Sequence, residues 1–200
     1  MVTTYGIIDE HRQNHARRLA AETISMVEAR GIGRWDDAEH RGARAFMRQH
    51  GSELPADFWF GAWNERVLIG MVHSAPPVGN GSFLIPRASP DARLPRAFTP
   101  EGLANYFTGN VLLEEIAVAP EYQGRGIGRR LLEAALQEAH DRSARNFCTA
   151  ATSEGASEFF RSMGMDIQPV GEPLHPSRAD GLKTSTIPAW GHIRWAMTTP

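Results

Sequence analysis

The sequence predicts an α/β fold in a single domain, and three observations support this prediction. Strand-like and helix-like segments alternate along most of the chain, which is the pattern of an α/β protein. The chain has 200 residues, of which 42% are hydrophobic, and this is enough to bury one core. A glycine-rich loop lies between a clear strand pattern and a clear helix pattern, as is typical of an α/β turn that binds an anion.

The N-terminal half of the chain predicts one strand, two helices and a pair of strands. Apolar residues recur at helical spacing after the first strand, and Gly31 ends that pattern. In the second helix Ala43, Phe46 and Met47 share one face and should point inward. A short segment around Asn64 predicts a hairpin turn. In order, these elements are a strand at 3–8, helices at 10–30 and 36–49, and strands at 58–60 and 67–74.

Two stretches rich in proline and glycine predict irregular insertions at about 76–110 and 170–190. Residues 76–100 alone contain six of the 13 prolines, which is too many for a regular helix or strand. The whole chain, 1–200, is expected to be one domain that carries these two insertions. The other elements of this half are a strand at 111–118, a helix at 128–142, a strand at 147–152, a helix at 157–163, a strand near 165 and a closing strand at 192–197.

The helix after the glycine loop is the best specified of these elements. Its apolar residues recur at helical spacing and should pack on the sheet, which would hold the start of the helix still. The members of this apolar face are Ile127, Leu131, Leu132, Ala135, Leu136 and Ala139.

The glycine loop itself predicts a phosphate or pyrophosphate site. Glycine has no Cβ, so the backbone can approach a ligand closely. The first N–H groups of the following helix point into the same space, and the helix dipole favours an anion there. Arginines in and just after the loop add positive charge. The run reads Gln123, Gly124, Arg125, Gly126, Ile127, Gly128, Arg129, Arg130.

Two common phosphate loops do not fit this run. A Walker loop needs a Gly-Lys-Ser/Thr sequence, and no Lys-Ser or Lys-Thr follows these glycines. The dinucleotide loop reads G-x-G-x-x-G after an early strand, whereas this loop reads G-x-G-x-G past the middle of the chain. The pattern that fits is Q/R-x-x-G-x-G/A, with Gln123, Gly126 and Gly128 at its defined positions.

With that loop, the run from Leu113 to about Met165 resembles the GNAT acetyltransferase superfamily. The resemblance implies a central mixed, mostly antiparallel sheet that is splayed at the acyl-CoA site and flanked by helices. It implies that main-chain groups of Ile116, Ala117 and Val118 bind the pantetheine arm of acetyl-CoA. The pyrophosphate would then lie on the residues from Gln123 to Arg129.

A second motif of the family follows the next predicted strand, and this chain departs from it at two positions. The spacing from Ala156 to Gly164 agrees with the family pattern. Ser153 stands where an asparagine usually bonds the pantetheine amide, and its hydroxyl can do part of that work. Phe160 stands where a tyrosine commonly protonates the leaving thiolate, and phenylalanine has no proton to give. Water, Ser153 or Tyr122 are the alternatives for that proton.

Glu114 is the candidate catalytic residue. An amine must lose a proton to attack an acyl group, and a carboxylate near the end of the splayed strand can accept it. Glu114 lies four residues before Val118, where some members of the family carry a catalytic glutamate. Burial would raise its pKa toward the useful range. Glu115 must point to the opposite face of the strand, and the alternative is that both carboxylates are merely solvated or ion-paired.

The amino-acid composition limits the cellular compartment and the classes of binding partner that we expect. The formal charge of −2 indicates neither a nucleic-acid nor a membrane partner. The single cysteine, Cys148, allows no internal disulfide and is interpreted as a small buried residue of a cytoplasmic protein. His11 and His15 lie one helical turn apart but lack a third ligand, so we expect no metal. His73 is interpreted as a core histidine, with the acceptor pocket as the alternative.

The function expected from the sequence is acetyl transfer from acetyl-CoA to an amine, by direct attack of the amine. The acceptor, the acyl-chain length and the choice between monomer and homodimer are left open. One alternative is a coenzyme A-binding module with little catalysis, which the missing tyrosine favours. Another is a protein that uses the loop for a nucleotide or a phosphosugar, since a fold does not determine a function.

Overall fold

The computed structural model describes residues 3–23, 37–88, 99–151, 153–167 and 190–194. These residues form two compact units, and each unit is built from segments that are not contiguous in the chain. The first unit holds the residues before Arg34 together with Asp57–Ala75 and Leu113–Arg142. The second unit holds Trp35–Ala56, Pro76–Leu112 and the residues from Ser143 onward. None of the helices in the described part is both long enough and apolar enough to cross a membrane.

The first unit contains a sheet edge of antiparallel strands. Strand β1 pairs with β2, and β2 pairs with β3, both antiparallel. The hairpin turn between β2 and β3 is Glu65-Arg66, and Glu65 has a left-handed φ of 55°. Strand β4 follows β3 in the sheet order. The strands are β1 Thr3–Ile7, β2 Phe58–Asn64, β3 Val67–Ala75 and β4 Asn110–Val118, of which Leu113–Val118 belongs to this unit.

Two helices of the first unit cover opposite faces of these strands. Helix α1, Gln13–Thr23, packs Ala16 and Ala20 against Met71 of β3. Helix α5, Ile127–Asp141, lies on the other face, because Gly70, the neighbour of Met71, approaches the side chain of Leu131. A Cβ built on Gly70 would lie only 3.0 Å from a methyl of Leu131, so glycine permits this close packing.

The second unit is built around two helices and three short strands. Its core cluster joins α2 to α4 through Phe46, Met47, Leu103 and Phe107, all of them buried. Strand β7 pairs antiparallel with both β5 and β6. Helix α2 is Asp37–Gln49, α3 Val78–Gly81, α4 Pro100–Gly109, α6 Glu154–Ser162, β5 Asn146–Ala150, β6 Asp166–Ile167 and β7 Trp190–Arg194.

Helix α4 corrects the prediction of an irregular insertion at about 76–110. The segment contains α3, a 3₁₀ helix at Ser82–Arg87 and the ten-residue α4. Thr99 caps α4, because its hydroxyl accepts a hydrogen bond from the N–H of Gly102 at 3.0 Å, and Pro100 occupies the first helical position. Proline lies at the start of this helix, where it fits, so a high number of prolines in the segment does not exclude a regular helix.

The other predicted elements agree with the structure to within a few residues, with one correction, and residues 195–197 of the predicted closing strand lie outside the described residues. The helix predicted at 10–30 is a 3₁₀ turn, Glu10–Arg12, followed by α1, which ends at Thr23 in the described residues. The rest of that prediction, and the insertion at about 170–190, lie outside the described residues. The inward faces predicted for α2 and α5 are confirmed, except that Leu136 is only half-buried.

Replacing Leu131 by Ala should destabilise the protein by about 2–5 kcal/mol. The Leu131 side chain is completely buried between α5 and β3, so truncation leaves a cavity. Urea denaturation measures the free energy of unfolding of both proteins. Glu133→Ala, an exposed site in the same helix, is the matched control and should change stability by less than about 0.5 kcal/mol. Equal effects of the two substitutions would contradict the packing described for α5.

Candidate functional site

The glycine loop turns from a 3₁₀ helix, Pro120–Tyr122, into α5 through two left-handed residues. Gly124 has a φ of 71° and Gly126 has a φ of 77°, values that favour glycine. A Cβ built on either residue would meet no atom within 4 Å, so the space beside them is open. The loop therefore needs glycine for its backbone conformation and also leaves room for a ligand.

The N-terminus of α5 offers unpaired N–H groups to this open space. Gly126 is the N-cap residue, and no side chain caps the helix there. The first N–H with an intrahelical partner is that of Arg130, which donates to the Gly126 carbonyl at 3.2 Å. The N–H groups of Ile127, Gly128 and Arg129 precede it and have no carbonyl one turn back. These donors, at the positive end of a 15-residue helix, form an anion cradle.

The side chain of Gln123 does not point at this cradle. Its Nε2 donates a hydrogen bond of 2.9 Å to the main-chain carbonyl of Val118, at the end of β4. In the same peptide unit the N–H of Ala119 donates to the Ile69 carbonyl on β3 at 2.9 Å. The end of β4 is therefore fixed from both sides. Sequence reasoning assigned Gln123 to the ligand, and the structure gives it a partner within the protein.

The residues of β4 that were predicted to hold the pantetheine arm alternate between the two faces of the strand. Ala117 is buried in the core beside Trp59 and Met71, whereas Ile116 and Val118 are half-buried. The N–H of Ala119 is used on the β3 side, so the N–H of Val118 points to the other side of the strand. On that side the Val118 carbonyl accepts the hydrogen bond from Gln123.

Glu114 and Glu115 face opposite sides of β4, as predicted. Glu114 is exposed, and Glu115 is 4% exposed. Desolvation raises the pKa of Glu114 to about 7, and the charge of Glu115 adds to the effect. The Glu114 side chain also contacts solvent, and water screens part of this effect. The direction of the shift is what a proton acceptor near neutral pH needs.

Glu115 is a buried carboxyl with an unsatisfied oxygen. Within the described residues its Oε2 has no hydrogen-bond partner. Desolvation raises the pKa of Glu115 to about 7, and the charge of Arg17 on α1 acts in the opposite direction. A buried polar atom without a partner is costly and therefore rare in native proteins.

The buried side chains of His73 and Trp59 form a cluster with the partly exposed Asp57 in the same unit. His73 is fully buried on β3, and its Nε2 lies 3.3 Å from Oδ2 of Asp57. The same oxygen accepts the indole N–H of Trp59 at 2.8 Å, and the Trp59 ring stacks on His73 with centroids 3.7 Å apart. The interpretation of His73 as a core histidine agrees with its burial and with this arrangement. Asp57 was missed, although its place just before a strand rich in aromatic residues was a usable signal.

Ser153 and Phe160 belong to the second unit. The hydroxyl of Ser153 caps α6 by accepting a hydrogen bond from the N–H of Ala156 at 3.1 Å, which leaves its own proton to donate. Phe160 is buried in α6, with its ring 5.3 Å from that of Phe159. The roles that the family resemblance implies for these two residues stay predictions.

The remaining candidates carry little chemistry. Cys148 is buried in β5, and burial raises the pKa of its thiol to about 12, so it is inert as a nucleophile at neutral pH. His11 and His15 are both exposed on their helices. No three His, Cys, Asp or Glu side chains come together as a metal site in the part of the chain that the structure describes.

In this α/β fold a glycine loop leads into a helix N-terminus that has no capping side chain. That arrangement is typical of α/β proteins that bind phosphate-containing ligands at the start of a helix. The sequence profile of the Acetyltransferase (GNAT) family matches residues 34–165. The chain therefore belongs to the GNAT acetyltransferase family. A comparison with curated protein sequences finds no match.

Solved structures show the same fold. The ribosomal-protein-S18-alanine N-acetyltransferase of Escherichia coli is 16% identical, with a TM-score of 0.55 over 99% of this chain and 97% of that one. YncA of Salmonella typhimurium, solved with acetyl-CoA, is 14% identical, with a TM-score of 0.55 over 100% and 98%. PaiA N-acetyltransferase of Thermoplasma acidophilum, solved with coenzyme A, is 12% identical, with a TM-score of 0.54 over 98% and 100%. The predicted GNAT-like α/β fold is confirmed, and the predicted acetyltransferase is confirmed at the level of the family.

Asp57→Asn should lower the free energy of unfolding at pH 7 by about 1 kcal/mol. The hydrogen bond from His73 lowers the pKa of Asp57 from 3.8 to about 2 in the folded protein. Its stabilising effect is therefore present above pH 4 and is lost as the pH falls toward 2. We expect only about 1 kcal/mol because the Asp57 side chain is 38% exposed, and water screens it.

Urea denaturation between pH 7 and pH 2.5 measures this effect. The difference between wild type and Asp57→Asn should shrink in the acid range, whereas Glu121→Gln, at an exposed carboxylate, should follow the wild type throughout. A constant difference at every pH would contradict the assigned role of the Asp57 carboxylate.

Proposed function

We propose that this protein transfers an acetyl group from acetyl-CoA to a primary amine by direct attack of the amine. The observation that carries the proposal is the anion cradle at the start of α5, where left-handed glycines expose unpaired N–H groups to open space. Coenzyme A carries a pyrophosphate, and phosphate groups are among the anions that a helix N-terminus binds. Membership of the GNAT family supports this choice of ligand over a nucleotide or a phosphosugar.

The residues of the chain would bind and orient the substrates. The loop from Gln123 to Arg129 would hold the pyrophosphate, and the main chain of Ile116–Val118 would hold the pantetheine arm. The Val118 carbonyl already accepts from Gln123, so the N–H is the remaining main-chain group of Val118 on that side of β4. That N–H is suited to donate to the developing oxyanion, which is the most effective form of transition-state stabilisation.

Acetyl-CoA supplies an activated thioester carbonyl, and Glu114 would supply the base. An alkylamine is largely protonated at pH 7 and must lose a proton before it can attack. Glu114 has a pKa raised to about 7, so it can accept that proton near neutral pH without holding it too tightly. The proton given to the leaving thiolate would not come from Phe160, which has none.

A screen of acetyl-CoA turnover across amine classes tests the proposal. The expected result is release of free thiol that depends on the amine, together with a product whose mass shows that one acetyl group has replaced one hydrogen of the amine. The second candidate is a coenzyme A-binding module with little catalysis, which the phenylalanine at position 160 favours. Binding of coenzyme A by calorimetry without release of thiol from any amine would favour that candidate.

Glu114→Gln should lower kcat/KM by about 10²–10⁴-fold at pH 7, the range typical of acid–base assistance. The wild-type rate should fall as the pH drops below about 7, because the carboxyl becomes protonated there. The loss in the variant should be smallest at high pH, where more of the amine is already neutral.

Measurements of kcat/KM from pH 6 to 9 test this prediction for wild type and Glu114→Gln. Glu121→Gln, at an exposed carboxylate near the loop, is the control. An identical profile for wild type and Glu114→Gln would remove Glu114 from the mechanism.

A further inference from the structure

The outer edge of strand β1 presents main-chain groups that point away from the sheet. β1 is the first strand in the sheet order, and β2 is its neighbour. The N–H of Ile8 donates to the Trp59 carbonyl at 2.9 Å, so the main chain of Ile8 is directed toward β2. Alternate residues of an antiparallel strand direct their N–H and C=O groups the opposite way, so those of Thr3, Tyr5 and Ile7 point outward. Within the described residues these outward groups form no hydrogen bond.

The sequence of β1 lacks the features that keep a free strand edge from pairing. Natural edge strands are protected by lysine, proline, a bulge or an inward-pointing charge. β1 consists of Thr-Thr-Tyr-Gly-Ile and has none of these, and its register with β2 is regular from Thr3 to Ile7. Ile7 is 73% exposed although it is a large apolar residue. A strand with these properties is suited to pair with another chain.

A cleft of about 960 Å³ borders the same edge and is partly open to solvent. It lies between β1, helix α1 and the hairpin of β2 and β3, all of them in the first unit. Its lining includes Trp63, whose ring lies so close to Gly61 that a Cβ there would be only 2.6 Å away. In the part of the chain that the structure describes, the exposed large apolar side chains are Ile7 and Val67, and both line this cleft. Exposed apolar residues that share one cleft indicate an interaction surface.

The unpaired charges on the rim of the cleft are balanced. Arg18 and Glu22 come from α1, and Glu65 and Arg66 come from the hairpin turn. None of these four side chains forms an ion pair with a residue that the structure describes. Arg12, another arginine of the rim, is already paired with an exposed carboxylate at 3.7 Å. A ligand of one sign would be repelled by half of these charges, whereas a second copy of the same surface lets cations of one copy meet anions of the other.

We propose that two copies of this chain pair through the outer edges of their β1 strands, antiparallel and about a two-fold axis at Tyr5. In this register Tyr5 lies opposite Tyr5 of the second copy, and Thr3 lies opposite Ile7. The outward main-chain groups of each strand then meet the outward groups of the other, so the N–H and C=O groups of all three residues form hydrogen bonds. Thr3, Tyr5 and Ile7 also share one face of the sheet, so the exposed Ile7 gains apolar cross-strand neighbours. The inference does not depend on the proposed function.

Ile7→Lys should weaken the self-association by about tenfold or more, because both symmetry-related Ile7–Thr3 pairs are lost and lysine opposes edge pairing. Val67→Lys makes the same change at the other exposed apolar side chain of the cleft, but on β3 rather than on the β1 edge. It should leave the dissociation constant within about threefold of wild type. Sedimentation equilibrium of the full chain measures the mass and the dissociation constant of each protein.

Cysteine variants in β1 test the register. Opposite residues in a hydrogen-bonded antiparallel pair have Cα atoms about 5.5 Å apart, which is within the range of a disulfide. Tyr5→Cys should therefore cross-link two copies on mild oxidation, because position 5 lies on the two-fold axis. Ile7→Cys alone should not, since the two cysteines would be about 13 Å apart or more along the strands. The double variant Thr3→Cys/Ile7→Cys restores an opposite pair and should cross-link, and the native Cys148 is buried.

Two results would overturn the proposal. One is a wild-type protein that stays a monomer at concentrations up to about 1 mM, which corresponds to very weak association. The other is a dimer that Ile7→Lys leaves intact, or in which Ile7→Cys alone cross-links and Tyr5→Cys does not, because the contact would then lie elsewhere or in another register. Acetyl transfer is measured separately, so failure of the pairing leaves the proposed function untouched, and failure of acetyl transfer leaves the pairing untouched.

Discussion

The close packing of α5 on the sheet is the constraint on which the rest of the candidate site depends. Gly70 lets the helix approach until Leu131 and Ile127 touch the strand, with the carbonyl of Ala117 on β4 also near. The apolar face of α5 is buried along its length. A helix held this firmly presents its first N–H groups at one place, so an anion meets donors that need no reorganisation.

Several residues of the candidate site break the usual rules for helix ends and for buried polar groups. Helix α5 has no capping side chain and carries arginines where acidic residues are favoured. Glu115 is a buried carboxyl with an unsatisfied oxygen. Asn146 and Asn110, by contrast, are buried side chains joined by a hydrogen bond of 2.9 Å. The buried hydroxyl of Ser74 on β3 also has no hydrogen-bond partner within the described residues, so such exceptions are not confined to β4 and the start of α5.

Most of the fold could be predicted from periodicity, and the misses have identifiable causes. The strands and α5 follow from alternating or helical spacing of apolar residues, because those residues must face one core. Helix α4 was missed because Pro100 was counted as a breaker, although proline at a first helical position fits the helix. Asp57 was missed because its importance comes from His73 and Trp59, which reach it only after β2 and β3 pair.

The sequence by itself determined the class of the site, because the glycine spacing and the helix behind it create an anion cradle through local geometry alone. Tertiary structure decided what each side chain of the cradle does. Gln123 could have faced a phosphate or the protein, and the position of the Val118 carbonyl directs it to the protein. Arg130 meets the ring of Tyr5, because β1 lies beside that part of α5. Such assignments depend on contacts between residues far apart in the chain.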